Sequence, residues 1–226
     1  MTAVAAHLGE IRERIADAAR AAGRAPEEIK LVAVSKEVDA SAVAEAAAAG
    51  QRDFGENRAQ ELVTKVEALD RQQLEAGQPE LDQPELQWHF IGRLQRNKVK
   101  AVAPLVALWH SVDRAEIGIE IARHAPGAHV LVQVNVSGEE QKGGCRTAEL
   151  PALAGVLTDL GLVVDGLMTV PPLIGDPRLY FAALRDLATH LGLATLSMGM
   201  SGDFEAAIAE GSTLVRVGRA VFGPRP

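Results

Sequence analysis

Lys36 closes the apolar run Leu31-Val32-Ala33-Val34-Ser35. An amine at the end of such a run is partly stripped of water, which favours its neutral form, a nucleophile toward aldehydes. The same position also suits a lysine that merely ends a strand and extends its charge to solvent. A second kind of chemistry lies in Gly199-Met200-Ser201-Gly202-Asp203. This segment leads into a helical pattern, where free backbone N–H groups bind phosphate and the Ser201 hydroxyl adds a donor. An ordinary turn capped by Ser201 or Asp203 reads the same way. Gly218-Arg219 supplies another close backbone approach and a cation. Arg216 sits inside the apolar run Leu214-Val215-Arg216-Val217. A buried arginine is costly without a partner, so it meets either a bound ligand or a structural ion pair.

Other candidates reduce to structure. Trp88-His89-Phe90 reads as core packing, with His89 a satisfied core histidine. His110-Ser111-Val112-Asp113 is no catalytic triad, because neighbours on a strand point to opposite faces. HExxH, CxxC and EF-hand patterns do not occur, so no metal site is expected; GxxxxGK[ST] and GxGxxG are missing too. Arg93, Arg96, Lys98 and Lys100 form a basic cluster that reads as a solvated helix face.

Short β-branched runs alternate with helical patterns along the chain. After an amphipathic helix over 2–22, strand-like runs fall at 30–36, 52–57, 88–92, 108–113, 128–135, 162–170, 194–199 and 212–218. Helical patterns follow at 41–50, 59–69, 95–103, 115–125, 147–159, 177–191 and 203–211. Several strands are apolar on both faces, as parallel strands covered by helices are. Eight such units predict one α/β domain over 1–226, a (β/α)8 TIM barrel with an extra N-terminal helix. The competing architecture is an open doubly wound sheet, whose first turn is glycine-rich. Here that turn is Ser35-Lys36-Glu37-Val38. Active sites of barrels lie at the C-terminal strand ends, with phosphate bound after strands seven and eight. Those ends carry Lys36, Asn57, Gly92, Asp113, Asn135, Thr169, Met200-Ser201 and Gly218-Arg219. Residues 70–87, rich in Gln, Glu and Pro, read as a surface excursion or a frayed helix end without a function.

Composition sets the wider frame. Of 226 residues, 47% are apolar and 23% charged, which excludes disorder as the general state. With 23 basic and 30 acidic residues the net charge is −7, so neither nucleic acid nor an anionic membrane is an expected partner. Cys145 is the single cysteine, so no intrachain disulfide can form, as suits a reducing compartment. The N-terminal segment has charges at helical spacing and no long apolar centre, which argues against a secretory signal. No apolar stretch is long enough to span a bilayer. A cytoplasmic monomer is expected.

Taken in order, AVSK at 33–36, FGENRAQE at 54–61, WHFIGRLQRNK at 88–98, GLMTVPP at 166–172 and LSMGMSGDFEAAIAEGSTLVRVGRAVFG at 196–223 resemble the pyridoxal phosphate homeostasis protein family over essentially the whole chain. That family is related to the N-terminal barrel of alanine racemase. The resemblance implies a barrel that binds pyridoxal 5′-phosphate (PLP). Lys36 would join the cofactor's aldehyde as a Schiff base. Its phosphate would rest on Met200, Ser201, Gly218 and Arg219; Arg216 would face the pyridine nitrogen, and Asn57 would lie near the ring. Arg219 stands where the family often has a small hydroxyl residue. Glu139-Glu140-Gln141-Lys142-Gly143-Gly144 is a loose version of the family's loop after strand five, which leaves the role of Lys142 open.

The resemblance admits a carrier and an enzyme. A racemase needs a second acid–base group opposite the lysine. Alanine racemase takes a tyrosine from a second, β-rich domain. Such a domain is not expected here, since the sequence runs out at Pro226, and the only tyrosine, Tyr180, lies in a helical pattern. An arginine at the pyridine nitrogen also weakens the cofactor as an electron sink. A homeostasis carrier needs only a reversible imine and a phosphate grip, and could pass PLP to apo-enzymes that depend on it. The expectation is therefore a PLP carrier and regulator rather than a PLP-dependent racemase. A class I aldolase commonly carries its lysine on a later strand; the sixth run holds Met168 instead.

Overall fold

The computed structural model describes residues 2–75 and 85–223. The chain forms β1 (Lys30–Val34), β2 (Asp53–Glu56), β3 (Gln87–Phe90), β4 (Val106–Val112), β5 (His129–Asn135), β6 (Cys145–Arg146), β7 (Val163–Met168), β8 (Thr195–Ser197) and β9 (Leu214–Val217). Its α-helices are α1 (Ala3–Ala21), α2 (Ala40–Ala48), α3 (Ala59–Glu75), α4 (Arg96–Val102), α5 (Ala115–His124), α6 (Leu150–Asp159), α7 (Pro177–His190), α8 (Phe204–Ala209) and α9 (Arg219–Phe222).

Eight strands pair in parallel around a closed ring, β1-β2-β3-β4-β5-β7-β8-β9, with β9 returning to β1. The expected TIM barrel is therefore present, with its extra N-terminal helix. The open-sheet alternative fails on the β4–β5 pairing, which closes the ring. β6 lies outside the ring and extends the end of β5, Val134 opposite Cys145. It is too short to leave a periodic signature in the sequence. The third helical pattern runs further than expected, from Ala59 to Glu75. Of the segment read as an excursion, residues 76–84 lie outside the described residues.

α1 follows the 3–4 spacing of Val4, Leu8, Ile11, Ile15 and Ala19, all buried. Thr2 caps it by accepting from the Ala5 N–H at 3.3 Å. This face packs on α2, α8 and α9. Burying a side chain such as Leu8 contributes about 1.5–3 kcal/mol.

Two apolar regions divide the core. The larger lies between the barrel and its helices. The smaller, Val32, Leu131, Met168 and Leu214, lies on the inward-facing side of the strands. Period-two alternation from Val32 carries Val34 and then Lys36 toward the barrel mouth. From Leu214, the same alternation puts Arg216 inside.

Candidate functional site

Every candidate residue lies at the C-terminal end of a barrel strand, on four consecutive strands. Asn57 follows β2, Lys36 follows β1, Arg216 is in β9 with Gly218 and Arg219 just beyond, and Met200 and Ser201 follow β8. Closure of the barrel brings the first two strands beside the last two, across about 160 residues of sequence.

Lys36 is half-buried and sits in a tightly held turn. The buried Ser35 hydroxyl donates to Glu56 Oε1 at 2.7 Å, and Lys65 Nζ donates to the Ser35 carbonyl at 2.6 Å. Lys65 also pairs with Glu56 and, at 3.3 Å, with Glu61. Burial pushes the Glu56 carboxyl up, against the pull of Lys65 and Ser35. After Lys36, Glu37 takes a φ of 60°, the left-handed region that a glutamate rarely adopts. Its N–H donates to Glu61. Both neighbours of Lys36 are thus fastened to β2 or α3. Lys65 and Glu61 were not singled out from sequence; the signal available was their i, i+4 spacing in a helix following FGEN.

Gly199 shapes the loop after β8. Its φ is +92°, and a Cβ there would lie 2.6 Å from Ala207 Cβ. The Met200 N–H is held by Asp203 Oδ1 at 2.6 Å. Asp203 therefore closes the loop rather than capping α8. Among the described residues, nothing accepts a hydrogen bond from the backbone N–H groups of Ser201, Gly202, Gly218 or Arg219, or from the Ser201 hydroxyl. Gly218 is buried, whereas the Arg219 side chain is exposed.

Arg216 is 4% exposed. Its Nη1 donates to Ser197 Oγ at 2.5 Å and its Nη2 to the Thr169 carbonyl at 2.8 Å. Both acceptors are neutral, so among the described residues Arg216 has no ion-pair partner, contrary to the structural alternative. Burial pushes its guanidinium down to about 10, with Asp203 acting the other way. It remains a cation at neutral pH. A buried cation held only by neutral acceptors, beside unbonded N–H groups on two adjacent loops, fits a ligand with a phosphate and a ring nitrogen that accepts.

The remaining sequence readings separate. His89 is buried and satisfied, yet it belongs to a chain of contacts that reaches Ser197. His110 faces Ser197 while Ser111 bonds the Gly92 carbonyl, so the two do diverge. Asp113 pairs with Arg114. Lys142 pairs with Glu139 at 3.1 Å and reaches the Val170 carbonyl at 3.4 Å, on the loop after β7. Arg93 and Lys98, with Asn57, Arg58 and Arg114, line a cavity of about 630 Å³; Arg96 pairs with Glu120. Among the described residues no cluster could hold a metal ion, and no helix is long and apolar enough to cross a membrane.

Residues 6–226 match the family model described as alanine racemase, N-terminal domain. The chain is 45% identical over 235 residues to the pyridoxal phosphate homeostasis protein of Pseudomonas aeruginosa, covering 100% of this chain and 97% of that one. It is 42% identical over 238 residues to the protein of that name in Escherichia coli, covering 100% and 98%. Among solved structures it resembles PipY of Synechococcus elongatus with PLP bound, at 33% identity and a TM-score of 0.77, covering 97% of this chain and 100% of that one. Alanine racemase from Corynebacterium glutamicum, at 19% identity and a TM-score of 0.60, shares the fold over 96% of this chain and 61% of its own length. On full-length identity above 40%, the chain belongs to the pyridoxal phosphate homeostasis protein family.

Proposed function

We propose that the chain binds pyridoxal 5′-phosphate at Lys36 and serves as a carrier and regulator of that cofactor in vitamin B6 homeostasis. The observation that carries this reading is the gathering of Lys36, Arg216 and the unbonded N–H groups of Ser201 and Gly218 on the adjacent strands β1, β9 and β8. The names of its relatives and the PLP held by PipY support it.

When bound, the cofactor supplies an aldehyde that condenses reversibly with a primary amine. Lys36 provides that amine at the barrel mouth. The loops at 200–202 and 218–219 offer backbone donors, and Ser201 a hydroxyl, for the phosphate. Arg216 has donors only, so it holds a ring nitrogen as an unprotonated acceptor. That choice suppresses the electron withdrawal on which amino-acid chemistry depends. Tyr180 lies in α7, outside the barrel ring, so it does not supply a second base at a strand end. Binding and release of PLP, with delivery to apo-enzymes, are what these residues suit.

The test compares wild type with Lys36→Ala after loading with PLP. Visible absorption that is bleached by borohydride, with the reduced adduct mapped by mass to Lys36, is the expected result. A protein that cannot be loaded would sink the assignment. Racemisation or transamination at ordinary enzyme rates, on the order of 1–10³ s⁻¹, would replace the carrier with an enzyme.

A further inference from the structure

A polar chain threads the barrel interior beside its small apolar cluster. Asp53, at the start of β2, accepts from His89 Nε2 at 3.0 Å. His89 Nδ1 lies 2.8 Å from His110 Nε2, and His110 Nδ1 lies 2.8 Å from Ser197 Oγ. Ser197 accepts from Arg216 at 2.5 Å. β4 and β8 are not neighbours in the ring, so the His110–Ser197 bond crosses the lumen. His89, His110 and Ser197 are all buried. The chain thus links the N-terminal base of the barrel to the guanidinium at its mouth.

With both rings neutral, the two ends dictate every hydrogen between them. A guanidinium only donates and an ionised carboxylate only accepts. Burial pushes the Asp53 carboxyl up, but His89 and Lys30, the latter 3.2 Å away, outweigh it and hold the group below its ordinary range. Burial, His89 and Arg216 hold the His110 imidazole well below its ordinary value, so it is neutral. With Asp53 accepting, His89 carries its proton on Nε2 and accepts on Nδ1. His110 then carries its proton on Nε2 and accepts on Nδ1 from the Ser197 hydroxyl. The serine oxygen is left to accept from Arg216. For the neutral pair, one arrangement satisfies all four bonds.

We propose that Asp53, His89, His110 and Ser197 form a directed hydrogen-bond relay that positions Arg216 and couples it to the charge at the base of the barrel. The relay's effect on a ligand rests on the reading that Arg216 faces the PLP ring nitrogen. A proton added to the ring pair reverses the chain. His89 Nδ1 would then donate to His110, and His110 Nδ1 to Ser197. The serine oxygen would face two donors and release its own hydrogen from the chain. Charged groups around the relay are Lys30 on β1, Asp53 on β2 and Arg216 on β9, with Asp203 beyond. The positioning residues Asp53, His89, His110 and Ser197 work through Arg216 and need not touch the ligand.

The first measurement is imidazole ¹⁵N NMR on the protein before PLP is added. Above the pH at which the ring pair takes up a proton, Nε2–H tautomers for both His89 and His110 are expected; an Nδ1–H tautomer at His110 there would overturn the relay. The second is the acid-side transition in the visible spectrum of the PLP-loaded protein. Asp53→Asn removes a negative charge and moves its midpoint to lower pH, by half a unit or more. Lys30→Met removes a positive charge from the same place and moves it to higher pH. Shifts of opposite sign are not expected of residues that merely pack. Arg216→Met separates the two readings. If it alters the loaded spectrum while both base variants leave the midpoint in place, the relay is overturned and Arg216 stays at the ring. If it leaves the spectrum unchanged, the placement of Arg216 fails, and the relay's effect on the ligand fails with it.

Discussion

Lys65 Nζ donates to the carbonyl oxygen of Ser35 at 2.6 Å, in the peptide that joins Ser35 to Lys36. The same ammonium pairs with Glu56, whose side chain is fully buried and whose Oε2 has no hydrogen-bond partner among the described residues. α3 and β2 are thereby fastened to the peptide that leads into Lys36. A partnered buried charge adds little net stability, but breaking the pair leaves an uncompensated charge.

Lys65→Met should therefore cost about 3–5 kcal/mol at neutral pH, read from urea denaturation. The pH dependence has a definite sign. Burial already raises the Glu56 carboxyl, and loss of Lys65 raises it further. The folded state then binds more protons than the unfolded state above the ordinary carboxylate range, so stability falls as pH rises through that window. The deficit against wild type should be smaller at pH 5 than at pH 8. An equal deficit at both would mean that Glu56 stays ionised without its partner.

The barrel was legible because its strands keep the β-branched, two-faced pattern of covered parallel strands and recur eight times. Lys36, Ser201 and Arg216 stood out because each breaks an apolar run or opens a glycine turn at a strand end. The relay did not. His89 and His110 are separated from Ser197 and Arg216 by about a hundred residues, and only ring closure makes β4 face β8. A histidine in an apolar strand looks the same in sequence whether it packs or transmits. β6 escaped for a different reason: two residues cannot show a period.

Gly199→Ala should disturb both fold and site. The φ of +92° disfavours any Cβ, and this Cβ would press on Ala207 and on the Phe204 backbone, 2.9 Å from its Cα. Overpacking against backbone costs about 1–3 kcal/mol, and the left-handed conformation adds about 1 more. Thermal unfolding should register that loss. PLP affinity should fall along with it, because the 200–203 loop must move. A variant as stable as wild type would show that the loop relaxes freely.

Cys145 offers a probe of the outer strand β6. Burial, with Glu149 and Asp113 adding to it, pushes its thiol up to about 11. At pH 8 only roughly one molecule in a thousand carries the reactive thiolate. A disulfide reagent such as DTNB should label the folded protein at least about 100-fold more slowly than the urea-unfolded chain. Rapid labelling of the folded protein would show that β6 opens easily.

Ser201 separates phosphate recognition from folding. Its hydroxyl bonds nothing among the described residues, so Ser201→Ala should change stability by less than about 0.5 kcal/mol. A hydrogen bond to a charged group contributes about 1.5–3 kcal/mol. If the hydroxyl meets the phosphate dianion, the variant should bind PLP at least about 10-fold more weakly, a factor that corresponds to about 1.4 kcal/mol. Pyridoxal, which has the aldehyde and ring but no phosphate, should bind both proteins alike. The quantity to measure is therefore the ratio of the two affinities by equilibrium dialysis. An equal loss for both ligands would place Ser201 at the ring instead of the phosphate, and no loss for either would remove it from the site.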